Sequence, residues 1–353
     1  MRKLRKNIFL AFILIAVSYP LWSDDGPYVF WENNLPVAVT IRDSQVFRDT
    51  LSADNRGEFL LDWSNGKAKP VVLKKEFTQS PTNQPKPARI LAISDIHGNF
   101  DGTVELLLTA GVMDKNYNWI YDGCLIILGD VLDRGDYTTE CLWLLYSLYT
   151  QAEGKLIPIL GNHENMTLGK RIHNMDGKYG LTRKLLNMSY NELYGENTLL
   201  GRWIRSWQAL LKLDDLLFVH GGISTGFAQK YEDLDQVNTI VWDYYHGKED
   251  LLETDLDFLF RTNGPFWYRG YFYSEEKWDT ASPEIIDGIL SEYSLKNIIV
   301  GHTTYENIHY AQEGRIIAID AGLKYQESGE ALLIQDNSFF VLAPDGNITE
   351  LKP

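Results

Sequence analysis

The sequence predicts an α/β fold, more closely an α+β layered domain, and three observations carry that prediction. From Ile90 onward, short apolar and β-branched runs alternate with segments whose apolar residues recur at helical spacing. Five of the apolar runs end directly in a polar cluster that holds Asp, Asn or His beside Gly. With 353 residues, the chain is long enough to bury one large core or two small ones.

The five strand-and-cluster pairs indicate what this fold is built to hold. The predicted strands are residues 89–93, 125–128, 156–160, 216–219 and 297–300. The clusters that follow them are residues 94–98, 129–135, 161–164, 220–222 and 301–303. Side chains of this kind at a strand end are suited to binding a ligand rather than to packing a core. Five such ends in one domain predict a metal site.

The first 23 residues have the pattern of a secretory signal peptide, residues 1–23. A basic start is followed by an apolar run, residues 8–17, which is far shorter than the roughly 20 residues that span a bilayer. A short uncleaved anchor is the alternative interpretation. Cleavage near Ser23 would leave no stable membrane anchor, and we expect a periplasmic or secreted protein.

Residues 24–88 predict an N-terminal β-hairpin extension and a linker. Residues 28–31 and 37–41 read as one hairpin, and residues 59–63 and 70–73 as a second. Residues 78–87 contain three prolines and predict an extended linker. We expect this part to pack as an appendage on the main domain.

The catalytic domain is predicted over residues 89–353. Its first helices are expected near residues 104–112 and 137–152, and strands return after residue 315. Two helical insertions, at about 180–213 and 227–262, separate the strands that end in polar clusters. These insertions are expected to form walls or a lid above the site.

Charge and cysteine content narrow the possible partners and the redox chemistry. The formal charge is −15 from 33 basic and 48 acidic residues, and four of the basic residues lie in the signal. A surface this acidic repels nucleic acid and anionic membranes, so no nucleic-acid partner is expected. Cys124 and Cys141 fall in a predicted strand and helix, where two buried free thiols are favoured over a disulfide.

The residue types in the clusters suit a pair of metal ions. Asp95 and His97 lie two apart in an extended segment, so their side chains point the same way. A carboxylate with an imidazole suits Mn, Fe or Zn. Asp130 can bridge two ions with its two oxygens. Three further residues would complete the coordination sphere of the second ion: Asn162, His220 and His302.

Such a site predicts hydrolysis of phosphate esters. A hydroxide that bridges two metals is a nucleophile at neutral pH. Arg134 offers a bidentate fork for the phosphoryl oxygens. His163 directly follows Asn162, so it should diverge from the metals and protonate the leaving group as general acid. Asp133 is placed to hold His163 in the required tautomer. Asn162 counts as a phosphate-binding candidate as well as a ligand.

The ordered set of clusters resembles the calcineurin-like metallophosphoesterases. Asp133-Arg134-Gly135 and Asn162-His163-Glu164 narrow the resemblance to the phosphoprotein phosphatase branch. Residues 24–30 and 264–271 further resemble the bacterial Shewanella-like protein phosphatases. The resemblance covers about residues 26–345.

The resemblance implies a β-sandwich of two mixed sheets flanked by helices, with two metal ions at the strand ends. It implies the same metal ligands and the same general acid that the residue types indicate. It also implies a second phosphate-binding arginine before the last His cluster, where Arg269 fits best and Arg261 is the alternative. Ser94 departs from the Gly that many relatives carry at that position.

The function predicted is an exported dinuclear-metal phosphomonoesterase that acts on phosphoproteins or small phosphate esters. A dinucleoside polyphosphate or nucleotide hydrolase is one alternative, although the net acidity speaks against it. A catalytically silent module that binds metal or phosphate is another. The sequence leaves open the metal identity, the oligomeric state and the choice between phosphotyrosine and phosphoserine or phosphothreonine, although the resemblance leans toward tyrosine.

Overall fold

Two six-stranded mixed sheets pack face to face and carry helices on their outer faces. The structure is a computed structural model that describes residues 24–54, 57–64, 67–169, 177–325 and 329–352. The predicted signal peptide, residues 1–23, lies outside the described residues. Within those ranges, no helix has both the length and the apolar character needed to cross a bilayer.

The elements follow the predicted alternation of strand and helix. The strands are β1 (Asp25–Glu32), β2 (Leu35–Arg42), β3 (Gln45–Thr50), β4 (Glu58–Ser64), β5 (Lys67–Val72), β6 (Asn83–Gln84), β7 (Arg89–Ile93), β8 (Cys124–Ile127), β9 (Leu156–Pro158), β10 (Leu210–Leu213), β11 (Leu216–Val219), β12 (Asn297–Val300), β13 (His309–Ala311), β14 (Ile316–Ala318), β15 (Ala331–Gln335), β16 (Ser338–Leu342) and β17 (Ile348–Glu350). The helices are α1 (Phe100–Thr109), α2 (Thr138–Gln151), α3 (Asn162–Leu168), α4 (Gly177–Leu186), α5 (Tyr190–Leu193), α6 (Leu199–Arg205), α7 (Thr225–Lys230), α8 (Leu234–Tyr245), α9 (Glu253–Leu259) and α10 (Pro283–Glu292), with a 3₁₀ turn at Leu323–Tyr325.

Strand order brings the predicted ligand clusters to one edge of the sandwich. The first sheet has the order β17-β16-β15-β7-β8-β9, in which β7, β8 and β9 run parallel. The second has the order β13-β14-β12-β11-β10-β6, in which β11, β12 and β14 run parallel. A parallel bridge between Ile159 and Gln208 joins the two sheets just beyond β9. The carboxyl ends of β7, β8, β9, β11 and β12 therefore meet.

Strands buried on both faces explain why the apolar runs are continuous. Ile90 and Ala92 of β7 pack between the sheets against Phe218 and Ile299 of the second sheet. Leu91, by contrast, faces the outer layer of helices. The predicted sandwich of two mixed sheets is confirmed, and both cysteines are buried and free, as expected.

The N-terminal extension is more closely integrated than an appendage. The first predicted hairpin is β1–β2, extended by a third strand, β3, and the second is β4–β5. Trp143 of α2 donates its indole N–H to the carbonyl of Pro27 at 2.8 Å. Tyr28 and Trp63 are buried in the same core cluster as the helices of the main domain. The extension therefore completes the core on this side.

The first helical insertion differs from the prediction at its end. Residues 180–213 were expected to be helical throughout, but residues 210–213 form β10, which pairs antiparallel with β11. The sequence of β10 has apolar residues on both sides of one lysine, which suits a strand. Pairing with the edge of β11 favours the strand over a helix. Part of the predicted linker, Asn83–Gln84, pairs with β10 in turn. The second predicted insertion, 227–262, overlaps α7, α8 and α9.

Candidate metal centre

The loops at the carboxyl ends of five strands bring the six predicted ligands together. The loop after β7 supplies two of them and the loops after β8, β11 and β12 one each, while the last lies at the start of α3. They are Asp95, His97, Asp130, His220, His302 and Asn162. All six side chains are buried. The six ligands therefore lie in the interior, where the strand ends meet.

Asp130 occupies the middle of this arrangement. It belongs to two groups of potential ligands, one with His97 and His163 and one with His220 and His302, whose ligand atoms all lie within 4.8 Å of one another in each group. Its Oδ2 lies 3.5 Å from His97 Nε2 and 3.3 Å from His220 Nε2. A carboxylate shared by two groups in this way is suited to bridging two cations.

The donor set fits metal ions because hydrogen bonds fix the orientation of the histidines. His97 Nδ1 lies 2.9 Å from the carbonyl of Leu132, so Nδ1 carries the proton and the Nε2 lone pair faces Asp130. Burial lowers the pKa of His97 to about 4, even though Asp130 and Asp95 favour its charged form. A neutral imidazole and a carboxylate then point two acceptors at each other, and a cation between them resolves the repulsion.

His220 shows the same arrangement from the other side. Its Nδ1 lies 2.7 Å from the carbonyl of Leu128, which leaves Nε2 for the centre. Burial alone would lower the pKa of His220, but Asp130 outweighs it and raises the pKa to about 9. The position between His220 Nε2 and Asp130 Oδ2, 3.3 Å apart, therefore favours a positive charge. Burial, His220 and Arg269 hold the pKa of His302 well below its usual range, so that histidine is neutral.

Hydrogen bonds to neighbours also position the remaining ligands. Asp95 Oδ2 accepts from the Ser94 hydroxyl at 2.6 Å and from the backbone N–H of His302 at 2.9 Å. This leaves Oδ1, 3.8 Å from His97 Nε2, for the centre. Asn162 Oδ1 lies 3.1 Å from His220 Nε2. Ser94 thus supports the ligand beside it.

His163 lies at the edge of the centre with its ring held by Asp133. Its Nδ1 lies 2.8 Å from Asp133 Oδ2, and its Nε2 lies 4.0 Å from Asp130 Oδ2. Burial alone would lower the pKa of His163, but Asp130 and the hydrogen-bonded Asp133 outweigh it and raise the pKa overall. A histidine whose pKa is raised in this way is suited to donating a proton beside the centre.

One guanidinium lies beside each group of ligands. Arg134 Nε lies 3.3 Å from His97 Nε2, and Arg269 Nε lies 3.0 Å from His302 Nε2. Arg261, the alternative to Arg269, instead pairs with Asp257 at 3.0 Å, with two-thirds of its side chain exposed. The structure therefore brings Arg134 and Arg269 to the centre and leaves Arg261 outside it.

The geometry agrees with the similarity of the chain to known proteins. Residues 88–305 match the family model described as calcineurin-like phosphoesterase. The chain belongs to this family. Its fold resembles that of a cold-active protein-tyrosine phosphatase from a psychrophilic Shewanella species, with a TM-score of 0.82 and 31% identity over 93% of this chain and 99% of that one.

Curated relatives include members of the narrower group predicted from the motifs. Shewanella-like protein phosphatase 1 of Plasmodium berghei is 26% identical over 63% of this chain and 65% of its own length. A serine/threonine-protein phosphatase of Saccharomyces cerevisiae is 30% identical over 52% of this chain and 55% of its own length. The predicted resemblance to the Shewanella-like phosphatases is confirmed.

Sequence reasoning missed a residue that builds the centre of this phosphoesterase. The buried Glu164 accepts hydrogen bonds at 2.8–3.0 Å from the backbone N–H groups of Gly161, Asp130, Val131 and Leu132. Burial and Asp130 raise the pKa of Glu164 to about 7, while these N–H groups favour its charged form. The signal in the sequence was an acid at the third position of a helix that begins at Asn162 and is capped by Gly161. Its partners lie in another loop, which no local pattern reveals.

Proposed function

We propose that this protein is a dinuclear-metal phosphomonoesterase that removes phosphate from phosphoproteins. The observation that carries the proposal is the position of Asp130 Oδ2 between two groups of ligands. His97, with Asp95, lies on one side of it, and His220 and His302, with Asn162, lie on the other. Mn, Fe and Zn all suit this mixture of imidazole, carboxylate and amide ligands.

Two ions held by these residues would supply the nucleophile, because coordination lowers the pKa of water from 15.7 to about 7. The ligand set contains two carboxylates and otherwise neutral groups, so two divalent ions leave an excess of positive charge. That excess attracts a phosphate dianion although the whole chain carries a formal charge of −15.

The two arginines bind and orient the phosphoryl group. Arg134 and Arg269 reach the centre from opposite groups of ligands, and a guanidinium matches the spacing of two phosphoryl oxygens. Each now hydrogen-bonds a ligand nitrogen. Both side chains therefore lie beside the place where the charge of the transition state would develop. Asn162 is positioned to add an amide contact to the same group.

His163 protonates the leaving oxygen. Asp133 fixes the proton on Nδ1 and stabilises the charged ring, so Nε2–H faces the centre as the acid. The need to protonate the leaving oxygen is greatest for a serine or threonine alkoxide. It is smaller for a tyrosine phenolate, whose conjugate acid has a pKa of about 10. We propose phosphotyrosine as the preferred substrate, since the likeness to the Shewanella tyrosine phosphatase covers far more of the chain than the likeness to the yeast serine/threonine phosphatase.

A substrate panel tests this proposal. Metal-free protein would be loaded with Mn, Fe or Zn and assayed on matched peptides that carry phosphotyrosine, phosphoserine or phosphothreonine, and on diadenosine tetraphosphate. We expect metal-dependent release of phosphate from the peptides, fastest from phosphotyrosine. Faster hydrolysis of the dinucleotide than of every peptide would contradict the proposal.

A further inference from the structure

A small pocket opens beside the metal centre, and we call it the side pocket. It is lined by residues of α3, α8, α9 and the loop before Arg269. Asn165 lies one helical turn after Asn162, and the ring of Trp267 meets the ring of His302 edge-on at 5.7 Å. The side pocket therefore shares two structural elements with the centre.

The side pocket contains a buried amide whose hydrogen bonding is incomplete. Asn165 is 6% exposed, and its Oδ1 accepts a hydrogen bond from the hydroxyl of Tyr245. Its Nδ2 has no hydrogen-bond partner among the described residues. A buried donor left in this state costs about 1–3 kcal/mol, so an acceptor from a bound molecule would be stabilising.

The remaining walls are aromatic and the rim is acidic. Phe260 and Trp267 line the pocket with Tyr245, and Phe260 stacks on Phe266 at 5.5 Å, which fixes its position. At the rim, Arg261 also lines the pocket and offsets its partner Asp257, so Glu253 leaves one net negative charge there. This combination favours an apolar group inside and opposes an acidic one.

The volume limits what the side pocket can hold. At about 160 Å³ it is well below the about 300–1,000 Å³ of pockets that enclose whole small molecules. One amino-acid side chain is a suitable occupant. A peptide also supplies the carbonyl oxygen that the amide of Asn165 lacks.

We propose that the side pocket binds a residue that flanks the phosphorylated residue of a peptide substrate. The apolar side chain of that flanking residue lies between Phe260 and Trp267, and a peptide carbonyl accepts a hydrogen bond from Asn165 Nδ2. This inference rests on the proposed phosphatase function and adds a specificity to it: phosphopeptides with an apolar flanking residue over those with an acidic one.

The test compares a phosphopeptide with an ester that is too small to reach the pocket. Metal-loaded wild-type, Asn165→Asp and Phe260→Ala proteins would be assayed on a phosphotyrosine peptide with flanking leucines and on phenyl phosphate. Asn165→Asp keeps the acceptor for Tyr245 but removes the free donor. We expect the ratio of kcat/KM values, peptide over phenyl phosphate, to fall about tenfold in each variant, mainly through KM.

Matched controls lie far from the pocket. Asn337→Asp on the exposed turn between β15 and β16, and Phe47→Ala on β3, make the same chemical changes and should leave the ratio at its wild-type value. Circular dichroism and metal content check each variant. If Asn165→Asp does not fold, Phe260→Ala decides alone.

Three results would overturn the inference. One is an unchanged ratio in the pocket variants, and another is an equal fall for both substrates. A third is a wild-type enzyme that hydrolyses peptides with flanking aspartates as fast as those with flanking leucines at every position. Failure of the proposed function itself is distinguishable, because wild-type protein would then hydrolyse neither phenyl phosphate nor any peptide, and the inference would fail with it.

Discussion

At the level of single residues, the backbone of the centre adopts conformations that an ordinary residue avoids. Asp95, His97, Asp130 and His302 have φ angles between 47° and 64°, in the left-handed region. Each such residue costs roughly 1–2 kcal/mol. A Cβ at Gly161 would collide with Asp130 Oδ1. The fold therefore maintains a strained set of loops so that the ligands point at one place.

The hydrogen bonds of Glu164 are the clearest source of that support. Glu164→Gln replaces one carboxylate oxygen with an NH₂ group, which would then face backbone N–H donors. We expect a loss of about 2 kcal/mol in the free energy of unfolding and weaker metal binding. Urea denaturation and metal titration measure the two effects. Stability equal to that of Glu313→Gln, an exposed control, would show that Glu164 does not support the loops.

His163 tests the assignment of the general acid. His163→Ala should retain metal and lose about 10²–10⁴-fold in kcat on esters with poor leaving groups, because protonation of the leaving oxygen is removed. Aryl phosphates with acidic phenols need less protonation and should lose less. A series of aryl and alkyl phosphates with metal analysis measures both. Wild-type turnover on the alkyl esters would refute the assignment.

The ligands are predictable from sequence because each one sits in a short motif at the end of an apolar run. Asp95, Asp130 and His220 needed only that local pattern, and the structure brings all three together. The sequence favoured Arg269 over Arg261 but left both open, and only tertiary structure shows that Arg269 contacts His302 while Arg261 pairs with Asp257. The incomplete hydrogen bonding of Asn165 also appears only once α3, α8 and the loop before Arg269 are packed together.

At the level of elements, strands with a continuous apolar sequence were predicted closely, whereas two short strands of the second sheet, β10 and β6, were not predicted. β7, β11 and β12 coincide with their predicted residues. β10 was mistaken for helix because it follows α6 closely, and because its strand character comes from pairing with β11. β6 has two residues and exists only because β10 is there to pair with it.

A buried ion cluster fastens β1 to α2 and α4. Lys178 Nζ lies 2.6 Å from Glu140 and 3.3 Å from Asp25, and all three are buried. Lys178→Met would leave two carboxylates buried without their cation, and we expect a loss of about 3–5 kcal/mol in the free energy of unfolding. Chemical denaturation beside the exposed control Lys277→Met measures it. A loss no larger than that of the control would mean that the cluster contributes little.

At the level of the whole molecule, the N-terminal sheet and the catalytic sandwich form a continuous core. Tyr28 and Val39 are almost fully buried, and the Tyr28 hydroxyl donates to Asp25 at 2.7 Å. The sequence predicted the hairpins of this extension. It did not predict their burial, because the faces that cover them lie on α2 and α6, far along the chain.

Export is proposed for the whole chain from the pattern of residues 1–23. β1 begins at Asp25, two residues after the predicted cleavage position, so processing there would leave this strand intact. Intact-mass analysis of exported protein should show that roughly the first 20–25 residues have been removed. A full-length mass in the periplasm or medium would contradict cleavage. A full-length mass in the membrane fraction would support the uncleaved anchor.

The proposed phosphatase chemistry depends most on a pair of metal ions that share Asp130. Elemental analysis of wild-type protein and of Asp130→Asn, with phosphatase assays on the same samples, tests it most directly. We predict about two ions per chain and metal-dependent turnover in the wild type, and loss of both metal and turnover in the variant. An Asp130→Asn protein that keeps two ions and wild-type turnover would contradict the account.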